Sequence, residues 1–307
     1  MAARAIGAFT QRFFTNRKDQ LLKNYPGFNL TRLKRELFHF ALRSNMYNGF
    51  SEAHFWSAPL LENSQNPVCL FFSQLENGIP VEYITGRSYF YKSEFQVSEE
   101  VLIPRSESEL LVEMALNELA NWSRKTDEGL SIADIGTGSG ALVLSILREI
   151  NRPIKAIATD ISPSALKIAE RNFFNLRFTI NKNSDLNLIH TDRLEGIEGK
   201  FHLIISNPPY IKEKADRELV HSQVNQHEPH VALFLPDEDY SDWFRQLFES
   251  ISSSLYEEGV FLMEGHEEHL EELAKLAQKC ALSDVQVIND YNERPRYLIA
   301  RKKEWIN

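Results

Sequence analysis

Cysteine is scarce in this sequence. Its 307 residues include only Cys69 and Cys280, which lie far apart and do not form a CxxC pair. Disulfide frameworks and zinc sites need more cysteines or a closer spacing, so neither is indicated, and the content suits a reducing cytoplasm. His266 and His269 lie in an acidic stretch without a third ligand, so we interpret them as part of a solvent-exposed helix face and expect no metal.

Long apolar runs and an excess of basic charge are also lacking. No segment approaches the ~18 to 20 consecutive apolar residues of a membrane-spanning helix. The formal net charge is -9, whereas proteins that neutralise the phosphates of duplex nucleic acid carry clusters of Lys and Arg. We therefore expect no membrane insertion and no direct binding of duplex nucleic acid. An acidic enzyme is better suited to a basic protein partner.

Residues 1–18 depart from this acidic character. They contain basic residues and no acidic ones, interleaved with Ile6, Phe9, Phe13 and Phe14. Such a composition loosely resembles an organellar transit peptide, but it is also typical of an amphipathic first helix. We favour the helix and predict a cytoplasmic protein.

The chain has no internal repeat and no low-complexity linker, and its patterning divides it into three parts. Residues 1–80 predict a small helical domain, because apolar residues recur at helical spacing, most regularly in 31–44. Residues 81–105 contain the alternating aromatic stretch 89–97, which predicts a β-hairpin connector. Residues 106–307 form the main domain.

The main domain alternates short aliphatic segments with helical ones. This alternation predicts a doubly wound α/β fold with a mainly parallel sheet. The predicted strands are 130–135, 154–160, 201–206 and 259–264, followed by a closing pair in the segments VQVI and YLIAR, and the predicted helices are 140–149, 163–173, 241–255 and 267–280.

A glycine-rich turn, DIGTGSG, follows the first predicted strand of this domain. Glycines leave no side chain between the backbone and a ligand, and the N–H groups of the next helix would face that ligand. Asp160 ends the following strand about 20 residues later, where a carboxylate can accept hydrogen bonds from ribose hydroxyls. The pattern predicts a cofactor that contains a nucleoside.

The turn alone does not separate two cofactor classes. The glycines and Ala141 also satisfy the GxGxxA form of the dinucleotide-binding fingerprint, which would indicate an NAD-dependent dehydrogenase. The acidic Asp134 directly before the glycines favours S-adenosylmethionine instead. A third possibility is a catalytically inactive scaffold that binds S-adenosylmethionine. Such a protein would keep this turn and lose the residues that bind and orient a methyl acceptor.

A second motif, Asn207-Pro208-Pro209-Tyr210, ends the aliphatic segment 201–206. Taken alone it is also an ordinary strand-terminating turn. In a parallel sheet, however, ligands collect at the carboxyl ends of the strands, so we expect this motif and the glycine turn to border one crevice.

Methyl transfer to an amide explains the residue types of this motif. An amide nitrogen is a poor nucleophile because its lone pair is delocalised into the carbonyl. The Asn207 side-chain carbonyl and the Pro208 backbone carbonyl can accept both N–H bonds of an NH2 group and favour the pyramidal form. The prolines stiffen the turn, and Tyr210 offers a flat face to the planar group. We predict that Asn207, Pro208 and Tyr210 are catalytic and that, with Pro209, they bind the substrate.

With these motifs, residues 79–301 resemble the HemK/PrmC family of protein-(glutamine-N5) methyltransferases. The similar segments include IPVEYITG, FQVSEEVLIPR, TDISPSAL, EPHVAL and RPR. The resemblance implies a Rossmann-like methyltransferase domain, N-terminal helices that help engage the substrate, and methylation of the Gly-Gly-Gln glutamine of peptide chain release factors. It implies that S-adenosylmethionine is bound by Asp134, Gly136, Thr137, Gly138, Ser139, Gly140, Asp160, Asp192, Arg193 and Asn207.

The sequence departs from the family pattern outside this motif. Ser106 replaces the proline that commonly follows the IPR arginine, and residues 234–237 replace a glycine pair after the EPxxAL element. These differences leave the protein substrate open, and a glutamine methyltransferase of a ribosomal protein is the alternative. A DNA adenine methyltransferase would flip a base and hold the backbone with cations, which the net charge of -9 disfavours.

Overall fold

The computed structural model describes residues 4–123 and 129–302. The chain divides into two compact units, one made of Met1–Arg87 and His221–His227 and the other of Ser88–Val220 and Glu228–Asn307. Within the described ranges, no helix combines the length and the apolar character needed to cross a membrane. The functional division at residues 80 and 105 stays a prediction.

The smaller unit is helical, as the sequence predicts. Side chains of Asn29, Ser51 and Asn66 cap its helices by accepting backbone N–H groups of the first turn. Residues 6–24 form an amphipathic helix whose Ile6 and Phe13 are buried in the core of the unit. The helices are α1 (Ile6–Asn24), α2 (Leu30–Leu42), α3 (Glu52–Ser57), α4 (Pro67–Glu76), α5 (Val81–Thr85) and α9 (Ser222–His227).

The larger unit contains the predicted hairpin and the predicted α/β sheet. Strands β1 (Arg87–Phe90) and β2 (Ser93–Gln96) form the hairpin, and a further pair is formed by β7 (Ile211–Lys212) and β8 (Phe234–Leu235). The main strands are β3 (Leu130–Ile135), β4 (Ile154–Asp160), β5 (Asp185–His190), β6 (Phe201–Ser206), β9 (Leu255–Glu264), β10 (Leu282–Asn289) and β11 (Pro295–Lys302).

The main sheet has the strand order β10-β11-β9-β6-β3-β4-β5. Strands β5, β4, β3, β6 and β9 pair in parallel, and β11 and β10 close the edge antiparallel. The predicted fold class is therefore confirmed. β5 has no counterpart among the predicted strands, because only Leu186 is buried in this edge strand and its polar residues hide the hydrophobic signal.

Helices cover both faces of this sheet. Alternate residues of β3 and β6 point to opposite faces, so that Ile132 and Leu203 enter one core while Ala133 and Ile204 enter the other. A strand buried on both faces needs a nearly continuous apolar run, which is the pattern in the sequence. The helices are α6 (Glu109–Ser123), α7 (Ala141–Glu149), α8 (Pro163–Leu176), α10 (His230–Leu233), α11 (Tyr240–Ser254) and α12 (Leu270–Lys279), with 3-10 turns at Arg177–Thr179 and Arg217–Leu219.

Candidate active site

The register of the sheet brings the two predicted motifs together. Ile135 at the end of β3 pairs with Ser206 at the end of β6, so the glycine turn and Asn207 leave the sheet as neighbours. On the other side Ile135 pairs with Thr159, which places Asp160 at the same edge. From β3 the chain adds β4 and β5 on one side and then crosses over to add β6 on the other side. Such a switch point opens a crevice at the carboxyl ends of the strands in α/β folds.

One cavity of the larger unit occupies this crevice. Three of the predicted site residues, Asp134, Gly140 and Tyr210, do not line it. The predicted site residues that do line it are Gly136, Thr137, Gly138, Ser139, Asp160, Asp192, Arg193, Asn207, Pro208 and Pro209.

The glycine turn leaves room for a ligand. Gly136 and Gly138 have φ values of +70° and +55°, which favour glycine, and a Cβ on either would meet no atom within 4 Å. Gly140 differs, because a Cβ there would lie 3.1 Å from Cδ1 of Leu144 and 3.4 Å from Cβ of Ala169. Gly140 therefore permits close packing of α7 and α8, while the other two glycines form the open cradle that a cofactor would need.

Asp160 ties the glycine turn to the end of β4. Its Oδ2 accepts the Gly138 N–H at 2.9 Å, and its Oδ1 accepts the Ser162 N–H at 2.9 Å. Burial raises the pKa of this carboxyl. Each carboxylate oxygen keeps a second lone pair, so Asp160 can still accept ligand hydroxyls while it holds the loop.

Asp134 lies one layer behind the cavity. It is fully buried, and its Oδ2 accepts a hydrogen bond from Oγ1 of Thr137 at 2.7 Å. Thr137 lines the cavity, so Asp134 acts on that wall through Thr137. Burial raises the pKa of Asp134 to about 7.

The raised pKa of Asp134 predicts a pH-dependent stability. The unfolded chain releases this proton near the ordinary value of 3.8, whereas the folded protein keeps it to about pH 7. Between these two pKa values only the folded state keeps the proton, so this contribution, roughly 4 kcal/mol, should be lost progressively as pH rises from about 4 to about 7. Denaturant unfolding between pH 5 and 8 should therefore show a flatter slope for Asp134→Asn than for the wild type. Equal slopes of stability against pH in the two proteins would contradict the raised pKa of Asp134.

Asp192 and Arg193 form another part of the cavity wall. Arg193 pairs with Asp192 at 2.9 Å and donates to Oε1 of Gln246 at 2.7 Å. Its guanidinium lies 5.4 Å from the ring centre of Trp243, which also lines the cavity. A flat indole beside a charged pair can accommodate a planar heterocycle.

The Asn207 side chain is held by hydrogen bonding at the cavity edge. Its Nδ2 donates to Oγ of Ser108 at 3.1 Å. The Tyr210 hydroxyl points elsewhere, donating to Oε1 of Glu264 at 3.0 Å, and the Tyr210 carbonyl accepts from Tyr240 at 3.1 Å. The ring is held behind the cavity wall, so its stacking on a substrate amide stays a prediction.

Known proteins resemble this chain over most of its length. The methyltransferase small domain family matches residues 108–232. The release factor glutamine methyltransferase of Chlorobaculum tepidum is 33% identical over 226 residues, which cover 72% of this chain and 74% of that protein. That of Koribacter versatilis is 36% identical over 230 residues, covering 74% and 76%.

The chain belongs to the release factor glutamine methyltransferase family. The resemblance found in the sequence is thereby confirmed. Among solved structures, the hMettl16 catalytic domain in complex with a MAT2A 3′UTR hairpin aligns with a TM-score of 0.52 at 12% identity, covering 69% of this chain and 77% of that one. This second similarity supports the fold alone.

Sequence reasoning missed several residues that shape the site of this family member. The connector contributes Val101, Leu102 and Pro104 to the cavity wall, and α11 contributes Trp243. The segment FQVSEEVLIPR belongs to the resemblance, but its spacing does not indicate that it borders the cavity.

The connector is fastened by a buried carboxylate. Glu228, whose side chain is 2% exposed, accepts from Arg105 at 2.5 Å and from the Ile103 N–H at 3.1 Å. The contact joins the IPR and EPHVAL segments beside the cavity.

Arg105→Ala should destabilise the protein measurably. The change leaves the Glu228 carboxylate buried without its cation, and such a loss costs about 3 kcal/mol. Urea unfolding should show this decrease. Arg245→Ala is the matched control, because Arg245 pairs with Asp242 and Glu249 on an exposed helix surface, where ion pairs contribute little. Similar losses in the two variants would contradict the prediction.

The interpretation of His266 and His269 as a solvent-exposed face was wrong for His269. Nε2 of His269 lies 2.8 Å from Oδ2 of Asp216, and both side chains are largely buried. The ring of His266 stacks on that of His269 with centroids 4.9 Å apart. The sequence could not reveal this, because Asp216 comes from the distant segment after β7.

Proposed function

We propose that this protein transfers the methyl group of S-adenosylmethionine to the side-chain amide nitrogen of a glutamine in a peptide chain release factor, at its Gly-Gly-Gln sequence. Membership of the release factor glutamine methyltransferase family supports the reaction and the substrate class. The cradle at Gly136 and Gly138 and the carboxylate of Asp160 support the cofactor.

The observation that carries the proposal is the orientation of Asn207. Its Nδ2 is engaged by Ser108, and its Oδ1 accepts no hydrogen bond from the described part of the chain. The residue lines the same cavity as the glycine turn. A free acceptor beside a cofactor cavity suits an incoming NH2 group.

The protein residues have distinct tasks in this reaction. S-adenosylmethionine supplies a methyl group bonded to a positively charged sulfur. Oδ1 of Asn207 and the Pro208 carbonyl accept the two N–H bonds and aim the nitrogen lone pair. With S-adenosylmethionine bound, attack of this nitrogen on the methyl carbon would break the carbon–sulfur bond, leave the electron pair of that bond on sulfur and release one amide proton to water.

The remaining assignments are also part of the proposal. Asp160 binds ribose hydroxyls, and Asp192 and Arg193 border the adenine. The helical region 1–80 engages the release factor, and the reaction takes place in the cytoplasm. The net charge of -9 supports a protein partner over a nucleic acid.

Methyl transfer with mapping of the product tests the proposal. The protein is incubated with labelled S-adenosylmethionine and, in separate reactions, a release factor, its Gly-Gly-Gln glutamine-to-alanine variant, ribosomal proteins and adenine-containing DNA. Mass spectrometry should place the label on that glutamine and find none in the variant. Label on a ribosomal protein or on DNA adenine, or no transfer to the release factor, would contradict the proposal.

A further inference from the structure

A buried carboxylate lies directly behind the Asn207 motif. Glu264, at the end of β9, is 1% exposed and accepts hydrogen bonds from Oγ of Ser108 at 2.5 Å and from the Tyr210 hydroxyl at 3.0 Å. β9 is the parallel neighbour of β6, so Glu264 is held at the sheet edge from which Asn207 emerges. Burying a carboxylate is costly, and its hydrogen bonds offset that cost only in part.

Ser108 lies between Glu264 and Asn207, and the direction of its hydrogen bonds is fixed: it donates to Glu264 and accepts from Asn207. A serine hydroxyl has one proton to donate. Because an ionised Glu264 can only accept, that proton is committed to Oε2, and Ser108 can then only accept from Asn207. An asparagine side chain could turn either its oxygen or its nitrogen toward Ser108. Because Ser108 can only accept, Asn207 turns its nitrogen toward Ser108 and its oxygen away from it.

We propose that Glu264 and Ser108 are positioning residues that fix the orientation of the Asn207 amide, so that Oδ1 faces the substrate NH2 group. Glu264 also anchors the Tyr210 hydroxyl, which fixes the far end of the same motif. The inference rests on the proposed function and adds the part of the structure that aims the acceptor. Glu264 does not line the cavity, and Ser108, which does, would act on the substrate through Asn207.

The charge on Glu264 makes this arrangement sensitive to pH. Burial raises the pKa of Glu264, while Ser108, Tyr210 and the nearby Arg296 oppose that rise, and Glu107 adds to it. A protonated Glu264 could donate a hydrogen bond to Ser108. The serine hydroxyl could then donate to Oδ1 of Asn207, and the orientation of the Asn207 amide would no longer be fixed. Turnover should therefore fall as pH decreases through the pKa of Glu264.

Two variants test the positioning directly. In Glu264→Gln an amide can donate to Ser108 and reverse the polarity at every pH, so kcat should fall about 10- to 100-fold, as for other orienting partners. Glu264→Gln should also lack the fall in kcat that the wild type shows at low pH. Ser108→Ala should lower kcat similarly, while the Kd for S-adenosylmethionine stays within about twofold in both variants.

Controls separate positioning from folding. Ser145→Ala removes another fully buried hydroxyl, within α7, and should keep wild-type kcat. Ser108→Thr keeps the hydroxyl and should retain most activity. If Glu264→Gln does not fold, the comparison of Ser108→Ala with Ser108→Thr decides the question.

The outcomes distinguish this inference from the proposed function. Wild-type protein that methylates no glutamine would contradict the proposed function. An active wild type with Ser108→Ala as active as Ser145→Ala, or with Ser108→Thr as impaired as Ser108→Ala, would overturn the positioning role alone. Loss of cofactor affinity in step with kcat would also overturn it.

Discussion

Asn207→Ala is expected to lower kcat for glutamine methylation by about 10²- to 10³-fold, the usual effect of removing one preorganised polar group from an active site. The variant loses the Oδ1 acceptor that holds the substrate nitrogen. The glycine cradle and Asp160 are untouched, so the Kd for S-adenosylmethionine should stay within about twofold. Single-turnover kinetics and calorimetry measure the two quantities separately.

Asn187→Ala provides the matched control for this variant. Asn187 is exposed on β5, and its Nδ2 lies 3.4 Å from Asp185 rather than at the cavity. The control should keep wild-type kcat. Turnover of Asn207→Ala equal to that of the control would refute the assigned acceptor role. A large loss of cofactor affinity in Asn207→Ala would instead favour the cofactor contact that the sequence resemblance implies for this residue.

Asp160→Ala is expected to raise the Kd for S-adenosylmethionine by about 100-fold. Hydrogen bonds to charged groups contribute about 1.5 to 3 kcal/mol each, and the variant loses the acceptors proposed for the ribose hydroxyls. It also releases the N–H groups of Gly138 and Ser162, so the cradle itself becomes less ordered. Calorimetric titration of the ligand-free protein measures the change.

Asp185→Ala tests whether the effect is specific. It removes an exposed acid from the beginning of the adjacent strand β5, at the opposite end of the sheet from the cavity. Its Kd should equal that of the wild type. Equal Kd values for Asp160→Ala and Asp185→Ala would exclude Asp160 from the cofactor site.

The sequence predicted the centre of the fold better than its edge. β3, β4 and β6 match their predicted bounds. β3 and β6 are buried on both faces and leave an apolar run bounded by polar residues, and β4 keeps a mostly aliphatic run although Lys155 is exposed. β5 lies at the sheet edge and was missed. Helix α12 begins at Leu270 rather than 267, and the residues before it form a turn in which the His266 carbonyl accepts the N–H groups of His269 and Leu270.

The sequence also predicted which motifs meet, but not what supports them. Local spacing identifies the glycine turn and the Asn207 motif, and parallel pairing brings them to one edge. Ser108 and Glu264, however, are 156 residues apart, and only the completed sheet brings them together. Likewise, the sequence does not distinguish Gly140, which serves packing, from Gly138, which borders the cavity. Both have positive φ, and they differ only in the atoms that surround them in the folded chain.

A crystal structure with S-adenosylhomocysteine and a Gly-Gly-Gln peptide tests the central claim most directly. We predict that the glutamine Nε2 lies within about 3.2 Å of both Asn207 Oδ1 and the Pro208 carbonyl, with its lone pair toward the sulfur. A glutamine bound elsewhere, or an Asn207 amide turned with Nδ2 toward the substrate, would contradict it.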